Sequence, residues 1–360
     1  MARQHDTSRN LSQKPQPRRS PTIADIARLA GVSPSTVSRS LAGNERIGKE
    51  TRRRIADVAR DLGYSVNRHA RSLRMQRSGI LLVLIPDIAN LNYSDLLMQI
   101  DSIAHERGYD IRIGHTGVDA GRVDRQAEEL FTGGIDGILL TSDYCPSSIS
   151  QRLAAGEVLP VVRTLSPTAP DERIVGVQID EEAAAFDAVS HLVKRDYRRI
   201  AHLAGSPGVL VSRLRMNGWR RALVEAGLQI PDKFIGEGFA VDDGRRAARS
   251  LMARTVYPDA VFCANDLSAY GLMAELQANG LKIPQDIAVA GFDDLSFSSL
   301  FSPPLTTVRL PRREMAEASV RYLVDLIDGK ATPSPDYIPH QLIIRKSSGD
   351  RKMEYEKPGC

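Results

Sequence analysis

The stretch SPSTVSRS, residues 33–40, gathers small hydroxyl side chains around a single arginine. Ser35, Thr36 and Ser38 can donate hydrogen bonds to phosphate oxygens or base edges, and their small size lets a helix backbone approach a duplex closely. Arg39 lies one turn in and can span the O6 and N7 acceptors of a guanine, a bidentate contact worth roughly 1–3 kcal/mol of base discrimination. Pro34 has no side-chain donor and can touch only a thymine methyl. The blander alternatives are a phosphate contact or a solvated charge for Arg39 and an ordinary surface hydroxyl for Ser35. This chemistry is recognition rather than bond breaking, and the chain contains no GxSxG, HExxH or GxxxxGK[ST] and no convincing GxGxxG.

The elements that must hold this stretch are short helices. In TIADIARLAGVS, Thr22 is placed to cap a helix whose Ile23, Ile26, Ala27 and Ala30 recur at helical spacing, and Gly31 ends it in a tight turn. Ser33 caps the next helix, with Pro34 at the first position, where its missing N–H costs nothing. Val37 and Leu41 give that helix a thin inward stripe. A third helix is expected from about Lys49 to Leu62, with Ile55, Val58, Ala59 and Leu62 inward and Arg52, Arg53 and Arg54 near its start. Two helices joined by a short glycine turn and followed by a third make a helix-turn-helix.

Charge divides the chain the same way. Residues 1–79 hold 17 Lys and Arg against 6 Asp and Glu, whereas the remainder holds 31 against 38. A basic segment on an acidic body suits a nucleic-acid-binding module attached to a non-binding domain. At 360 residues the chain is long enough for two or more domains, with the hydrophobic (42%) and charged (26%) content of an ordinary globular protein. No apolar run reaches the roughly 20 residues that span a bilayer, and the basic N-terminus lacks the apolar core of an export signal. A cytoplasmic location without membrane attachment is therefore expected. Three cysteines without short spacings suit neither a disulfide framework nor a zinc site, and no cofactor or metal is expected.

TIADIARLAGVSPSTVSRSLAG, ETRRRIADVARDLGY and NRHARSLR, in this order and spacing, resemble the headpiece and hinge of the LacI family of bacterial transcriptional regulators. The resemblance implies base reading by Pro34, Ser35 and Arg39 and phosphate contacts by Thr36 and Ser38. Thr22, Ser33, Asn67, Ala70, Arg71, Leu73 and Arg74 are counted with them as DNA-contacting positions. In the family the hinge segment folds as a helix when two copies meet in the minor groove, and Leu73 matches the leucine that pries open the central base step. An apolar wedge there offsets lost stacking. Ala42 departs from the asparagine many members carry.

From Gly79 onward apolar strand-like runs, among them GILLVLI (79–85), IDGILLT (135–141), LPVVRT (159–164), DAVFCA (259–264) and DIAVAGF (286–291), alternate with helical stretches. That pattern implies parallel sheets covered by helices in two lobes, with chain crossings near residues 164, 290 and 310. Ligands of such sheets bind beyond the carboxyl ends of the strands. Asn92, Tyr93, Thr141, Arg163, Arg215, Phe239, Asn265 and Asp293 fall there and are the expected effector contacts, whereas Asp266 and Asp294 are assigned to capping. Family resemblance over residues 79–346 supports Arg215, Asn265 and Asp293, in RMNGW, CANDLSAYG and GFDDLSFSSLFSPPLTTV.

Two departures leave the ligand open: Leu165 and Ser166 replace the aspartate and arginine of many sugar-responsive members, and Leu91, Asn92 and Tyr93 replace Pro-Phe-Phe. AAFDAV (184–189), LTTVRLPR (305–312) and LIIR (342–345) resemble the cytidine-repressor branch, so a nucleoside stands beside a sugar, and Arg163 could pair with an acidic ligand.

The expected fold is an all-α helix-turn-helix headpiece with a hinge helix, joined to a two-lobed α/β periplasmic-binding-protein-like core with parallel sheets. Its parts are a disordered extension (1–20), the DNA-binding domain (21–66), the hinge helix and linker (67–78), the effector-binding and dimerisation body (79–346) and a tail (347–360). The function expected is a ligand-responsive repressor that binds a palindromic double-stranded operator as a homodimer, with a sugar, nucleoside or related metabolite as effector. A solute-binding protein would share the body but has no use for a helix-turn-helix. Arg39→Ala should lower affinity for operator more than for random duplex, by roughly 1–3 kcal/mol in gel-shift titrations; an equal loss on both would assign Arg39 to phosphate.

Overall fold

Six apolar side chains at helical spacing are enough to organise the first unit. In the computed structural model, which describes residues 21–41, 44, 46–64, 77–117, 120–167, 173–231, 235–330 and 336–349, the chain divides into two compact units, residues 1–76 and 77–360. The first contains α1 (Ile23–Ala30), α2 (Pro34–Leu41) and α3 (Lys49–Asp61). Ile26, Val37 and Ile55 are fully buried and cluster with Ala27, Ala30 and Ala59. Thr22 begins α1 as expected: its hydroxyl accepts from Asp25 N at 3.4 Å, while the Asp25 carboxylate accepts from Thr22 N at 2.9 Å. This reciprocal cap satisfies two backbone donors that a helix start otherwise leaves open. Gly31 ends α1 at φ 65°, a left-handed conformation that costs glycine little.

The second unit is built on two six-stranded sheets. One has the order β11-β5-β4-β3-β1-β2 and the other β12-β10-β9-β8-β6-β7. The first uses β1 (Ile80–Ile85), β2 (Asp110–His115), β3 (Gly137–Leu140), β4 (Val161–Thr164), β5 (Val175–Gln178) and β11 (Asp336–Tyr337). The second uses β6 (Ile200–Ala204), β7 (Gly236–Glu237), β8 (Ala260–Cys263), β9 (Ala288–Asp293), β10 (Thr306–Arg309) and β12 (Gln341–Ile343). All strand pairs are parallel except β12 on β10, which is antiparallel. Central strands such as β1, and β9 up to Asp293 at its end, are apolar because helices cover both faces.

The helices of the first lobe are α4 (Leu91–Glu106), α5 (Ala120–Thr132) and α6 (Ser147–Ala154), joined by α11 (Arg312–Ile327), which packs on α4 and on β3, β4 and β5. The second lobe has α7 (Glu181–Lys194), α8 (Leu210–Glu225), α9 (Val241–Met252) and α10 (Asp266–Ala278). The chain passes between lobes at 179–180, 310–311 and 338–340. Only the middle passage matches the sequence expectation. The crossing expected near 164 was displaced because VGVQ, four residues with no alternation, is the further strand β5 of the first sheet. None occurs near 290, since β9 pairs with both β8 and β10 inside the second sheet.

The body also extends past the expected boundary at 346. Ser347 and Ser348 are fully buried, the Ser347 hydroxyl donates to the Val289 carbonyl at 2.6 Å, and Tyr197 donates to the Gly349 carbonyl at 2.7 Å. No helix among the described residues is long and apolar enough to cross a membrane.

Helices α9 and α10 meet through two glycines. A Cβ on Gly244 would overlap the Ser268 carbonyl oxygen, and one on Gly271 the Val241 carbonyl oxygen. Both obstacles are backbone and cannot rotate away, so the close approach requires residues without side chains. Gly271→Ala should therefore destabilise the body by about 1–3 kcal/mol, seen as a lower midpoint in urea denaturation. An unchanged midpoint would show that the two helices can separate at no cost.

Candidate functional site

On α2 the side chains divide as the sequence suggests. Val37 is buried, whereas Ser33, Pro34, Ser35 and Arg39 are exposed and Thr36 and Ser38 half-buried. The Ser33 hydroxyl accepts from Thr36 N at 3.2 Å, capping the helix, and lies 2.8 Å from the hydroxyls of both Ser35 and Thr36. The result is a small hydroxyl cluster at a helix N-terminus, where the partial positive charge favours phosphate. Arg39 Nε donates to the Ser35 carbonyl at 3.3 Å, which holds the arm against its helix and leaves its terminal nitrogens for a partner. Thr22 is used differently, because its hydroxyl proton goes to Asp25 at 2.7 Å. Ala42, Asn67, Ala70, Arg71, Leu73 and Arg74 lie outside the described residues.

In the body, seven of the eight expected effector residues line one cavity of about 420 Å³: Asn92, Tyr93, Thr141, Arg215, Phe239, Asn265 and Asp293. They come from the carboxyl ends of strands or the helix starts that follow, as the α/β rule requires. The eighth, Arg163, is fully buried, donates to the Ser142 carbonyl and faces a neighbouring compartment of about 540 Å³ instead. Asp87, Asp143, Tyr144 and Ser166 also line the cavity and were missed. The strand-end rule would have found Asp143, two residues beyond Thr141, and Ser166 was marked by the family position it shares with the arginine of many sugar-responsive members.

Arg215 is the cavity's central cation and is 5% exposed. Its Nε donates to Glu181 at 2.7 Å, another nitrogen donates to the Ala264 carbonyl at 2.6 Å, and the guanidinium lies 3.7 Å over the Phe292 ring. Asp293 is 3.8 Å away, and its Oδ1 accepts no hydrogen bond from the described residues. Burial pushes its carboxyl up to about 7, with Arg215 pulling the other way. Burial likewise raises Asp266 to about 6.

Asn265 serves two purposes. Its Oδ1 caps α10 by accepting from Ser268 N at 3.0 Å, and its Nδ2 donates to the Phe239 carbonyl at 3.0 Å, leaving one amide proton. Asn92 accepts from Arg312 at 2.9 Å, and Arg312 also donates to the Asp293 carbonyl at 2.7 Å, tying the lobes together beside the cavity. Thr141 donates to the Leu84 carbonyl at 2.9 Å.

The capping roles expected for Asp266 and Asp294 are corrected. Asp266 accepts from Leu295 N, the Ser298 hydroxyl and the Thr307 hydroxyl. Asp294 pairs with Arg309 and Arg345, each at 2.7 Å. Both carboxylates hold distant segments together; at the start of α10 the capping role falls to Asn265 instead of Asp266.

Two family models match the chain: bacterial regulatory proteins of the lacI family over residues 22–67, and a periplasmic binding protein-like domain over residues 189–348. The HTH-type transcriptional repressor CytR of Escherichia coli K12 is 31% identical over 329 residues, covering 91% of this chain and 96% of CytR. The ribose operon repressor of the same organism is 34% identical over 311 residues, covering 85% and 93%. Among solved structures, the Lac repressor dimer bound to operator and the anti-inducer ONPF superposes with a TM-score of 0.80 at 26% identity, covering 92% of this chain and 99% of that one.

Asp293 and Asp266 bind protons more tightly folded than unfolded, so their contribution to stability falls as pH rises from about 4 to about 7. Asp293→Asn removes one of the two titrations, and the decline of melting temperature across that window should become shallower. An identical pH profile would mean that Asp293 titrates at its ordinary carboxylate value.

Proposed function

Because this chain belongs to the LacI family of bacterial regulatory proteins and is a DNA-binding transcriptional regulator rather than an enzyme, we propose that it is a repressor whose operator affinity is set by a sugar, nucleoside or related small metabolite in the cavity around Arg215. The observation that carries the reading is the convergence on one cavity of seven residues from both lobes, at strand ends and on the helices that follow them. Tyr93 and Phe239 offer it flat apolar faces, while Asn92, Thr141, Asn265 and Asp293 offer polar groups, a composition typical of small polar-ligand sites.

The chain acts in the cytoplasm as a homodimer, and its two α2 helices enter successive major grooves of a near-palindromic operator, since two-fold protein symmetry is mirrored in the site. Arg39, Ser35 and Pro34 read bases, Thr36 and Ser38 hold phosphates, and Leu73 wedges the minor groove between half-sites. Ligand seated between the lobes changes the Asn92–Arg312–Asp293 bridge, and with it the relation of one lobe to the other. Ligand and operator affinities are then linked reciprocally, typically by about 1–3 kcal/mol.

Tyr93→Ala and Phe239→Ala test the reading without disturbing buried charge. Each should weaken ligand-dependent thermal stabilisation by about tenfold in ligand concentration, with operator affinity in the absence of ligand retained. Full stabilisation of both variants by the same sugars and nucleosides would move the effector site elsewhere.

A further inference from the structure

The second sheet ends on an open edge. β12 stands last in its strand order and, among the described residues, pairs only with β10. Edges of this kind attract other strands unless they are covered, charged or broken by proline, and β12 with its next residue reads Gln-Leu-Ile-Ile. Beside the edge lies an apolar groove of about 550 Å³. Leu342 and Ile344 form one wall, α7 contributes Phe186 and Val193, and the end of α8 contributes Ala222 and Ala226. Phe186, Val193 and Leu342 are half-buried against the core, whereas Ile344 is 53% exposed.

Gly349, the last described residue, sits at the foot of this groove. Tyr197, just past α7, donates to its carbonyl at 2.7 Å, and the Ser348 hydroxyl lies 2.9 Å from Nε2 of His191, itself a groove residue. β12 runs toward the same end: Arg345 N–H, which follows it, donates to the Thr306 hydroxyl at 2.8 Å, and Thr306 N–H donates to the Ser347 hydroxyl at 2.8 Å. A segment that turns back at Gly349 therefore runs antiparallel to β12, as in a hairpin.

Residues 350–360, DRKMEYEKPGC, lie outside the described residues, and their sequence fits that edge. KMEYE (352–356) alternates charged and apolar residues, the period of a strand with one apolar face, and Pro358 and Gly359 close the run. Met353 and Tyr355 share that face about 7 Å apart, the interval that separates Leu342 from Ile344 on an extended chain. Four residues reach about 13 Å from Gly349 to Met353, enough to enter a groove whose α7 wall, from Phe186 to Val193, is about 10 Å long. We infer that residues 352–356 dock as a further antiparallel strand on the outer edge of β12, with Met353 and Tyr355 filling the groove over α7 and α8. Main-chain hydrogen bonds then supply the attachment and the two apolar side chains its register.

Hydrogen–deuterium exchange tests this on the full chain and on a variant ending at Asp350, which keeps the Gly349 carbonyl that Tyr197 holds. Amides of residues 341–345 should exchange at least about tenfold more slowly in the full chain. Met353→Asp with Tyr355→Asp should make the full chain exchange like the shortened one, whereas Lys352→Ala with Glu354→Ala, on the opposite face, should leave it like the parent. Ile344→Glu, at an exposed position, should erase the difference between full and shortened chains. Equal exchange with and without residues 351–360 overturns the inference, and so does an equal effect of the two double substitutions. Protection that rises with protein concentration overturns it in favour of a second copy on the edge. Faster exchange of α10 in the shortened chain, to the same degree as β12, overturns it in favour of a general loss of stability.

Discussion

Arg215 carries its charge inside the protein, 5% exposed, and the geometry of the cavity depends on how that charge is held. Removing a guanidinium from water is expensive unless its protons and its charge are matched, and breaking one side of such an arrangement costs about 3–5 kcal/mol. The match is assembled from separate elements: Glu181 at the start of α7, the Ala264 carbonyl after β8, and Phe292 and Asp293 at the end of β9. Each must arrive in register for the others to be tolerable. The ion pair therefore adds less net stability than geometric definition, drawing four segments to one point at the floor of the cavity.

The strand ends around it are held by the same logic with neutral or shared groups. Asp266 ties the start of α10 to β10 and to the segment after β9, and Asn265 beside it caps the helix while bonding the Phe239 carbonyl. A cavity whose wall side chains are largely held by hydrogen bonds to the protein is preorganised, and little ordering remains to oppose a ligand. Among the described residues Asp293 Oδ1 and the second amide proton of Asn265 are left open, and openings of this kind are where binding energy is available. Between the lobes, Arg312 touches Asn92 on one side and the Asp293 carbonyl on the other, while Asp143 accepts from the first turn of α8. These polar contacts can be exchanged for ligand contacts at modest cost, which is what a change of lobe relation requires.

The first unit obeys a different economy. Its core is six residues, and most of α2 faces outward with hydroxyls and Arg39. Stability there comes from caps and a few apolar contacts, leaving the surface free to be shaped for a duplex. The arrangement was legible because Thr22, Gly31, Ser33 and Pro34 act on neighbours within four positions. Val37 and Ile55 meet only through the tertiary fold, yet their spacing already marked the inward faces.

In the body, the sequence by itself determined most of the strands, though not β5, and which residues stand at their carboxyl ends, since apolar runs and helix starts are governed by local interactions. That was enough to place Tyr93, Thr141, Asn265 and Asp293 at the cavity. What it could not determine was pairing. Glu181 meets Arg215 across 34 positions, Asp143 meets Leu210 N across 67, and Arg312 meets Asn92 across 220. The same limit placed a chain crossing near 290, where β9 pairs within the second sheet, gave Asp266 and Asp294 the wrong partners and turned Arg163 away from the cavity where it was expected; the crossing expected near 164 moved because β5 was not anticipated. Only the tertiary structure decided these, because a buried charge takes whichever complementary group the packing of distant elements brings within reach, and separation along the chain carries no record of that choice.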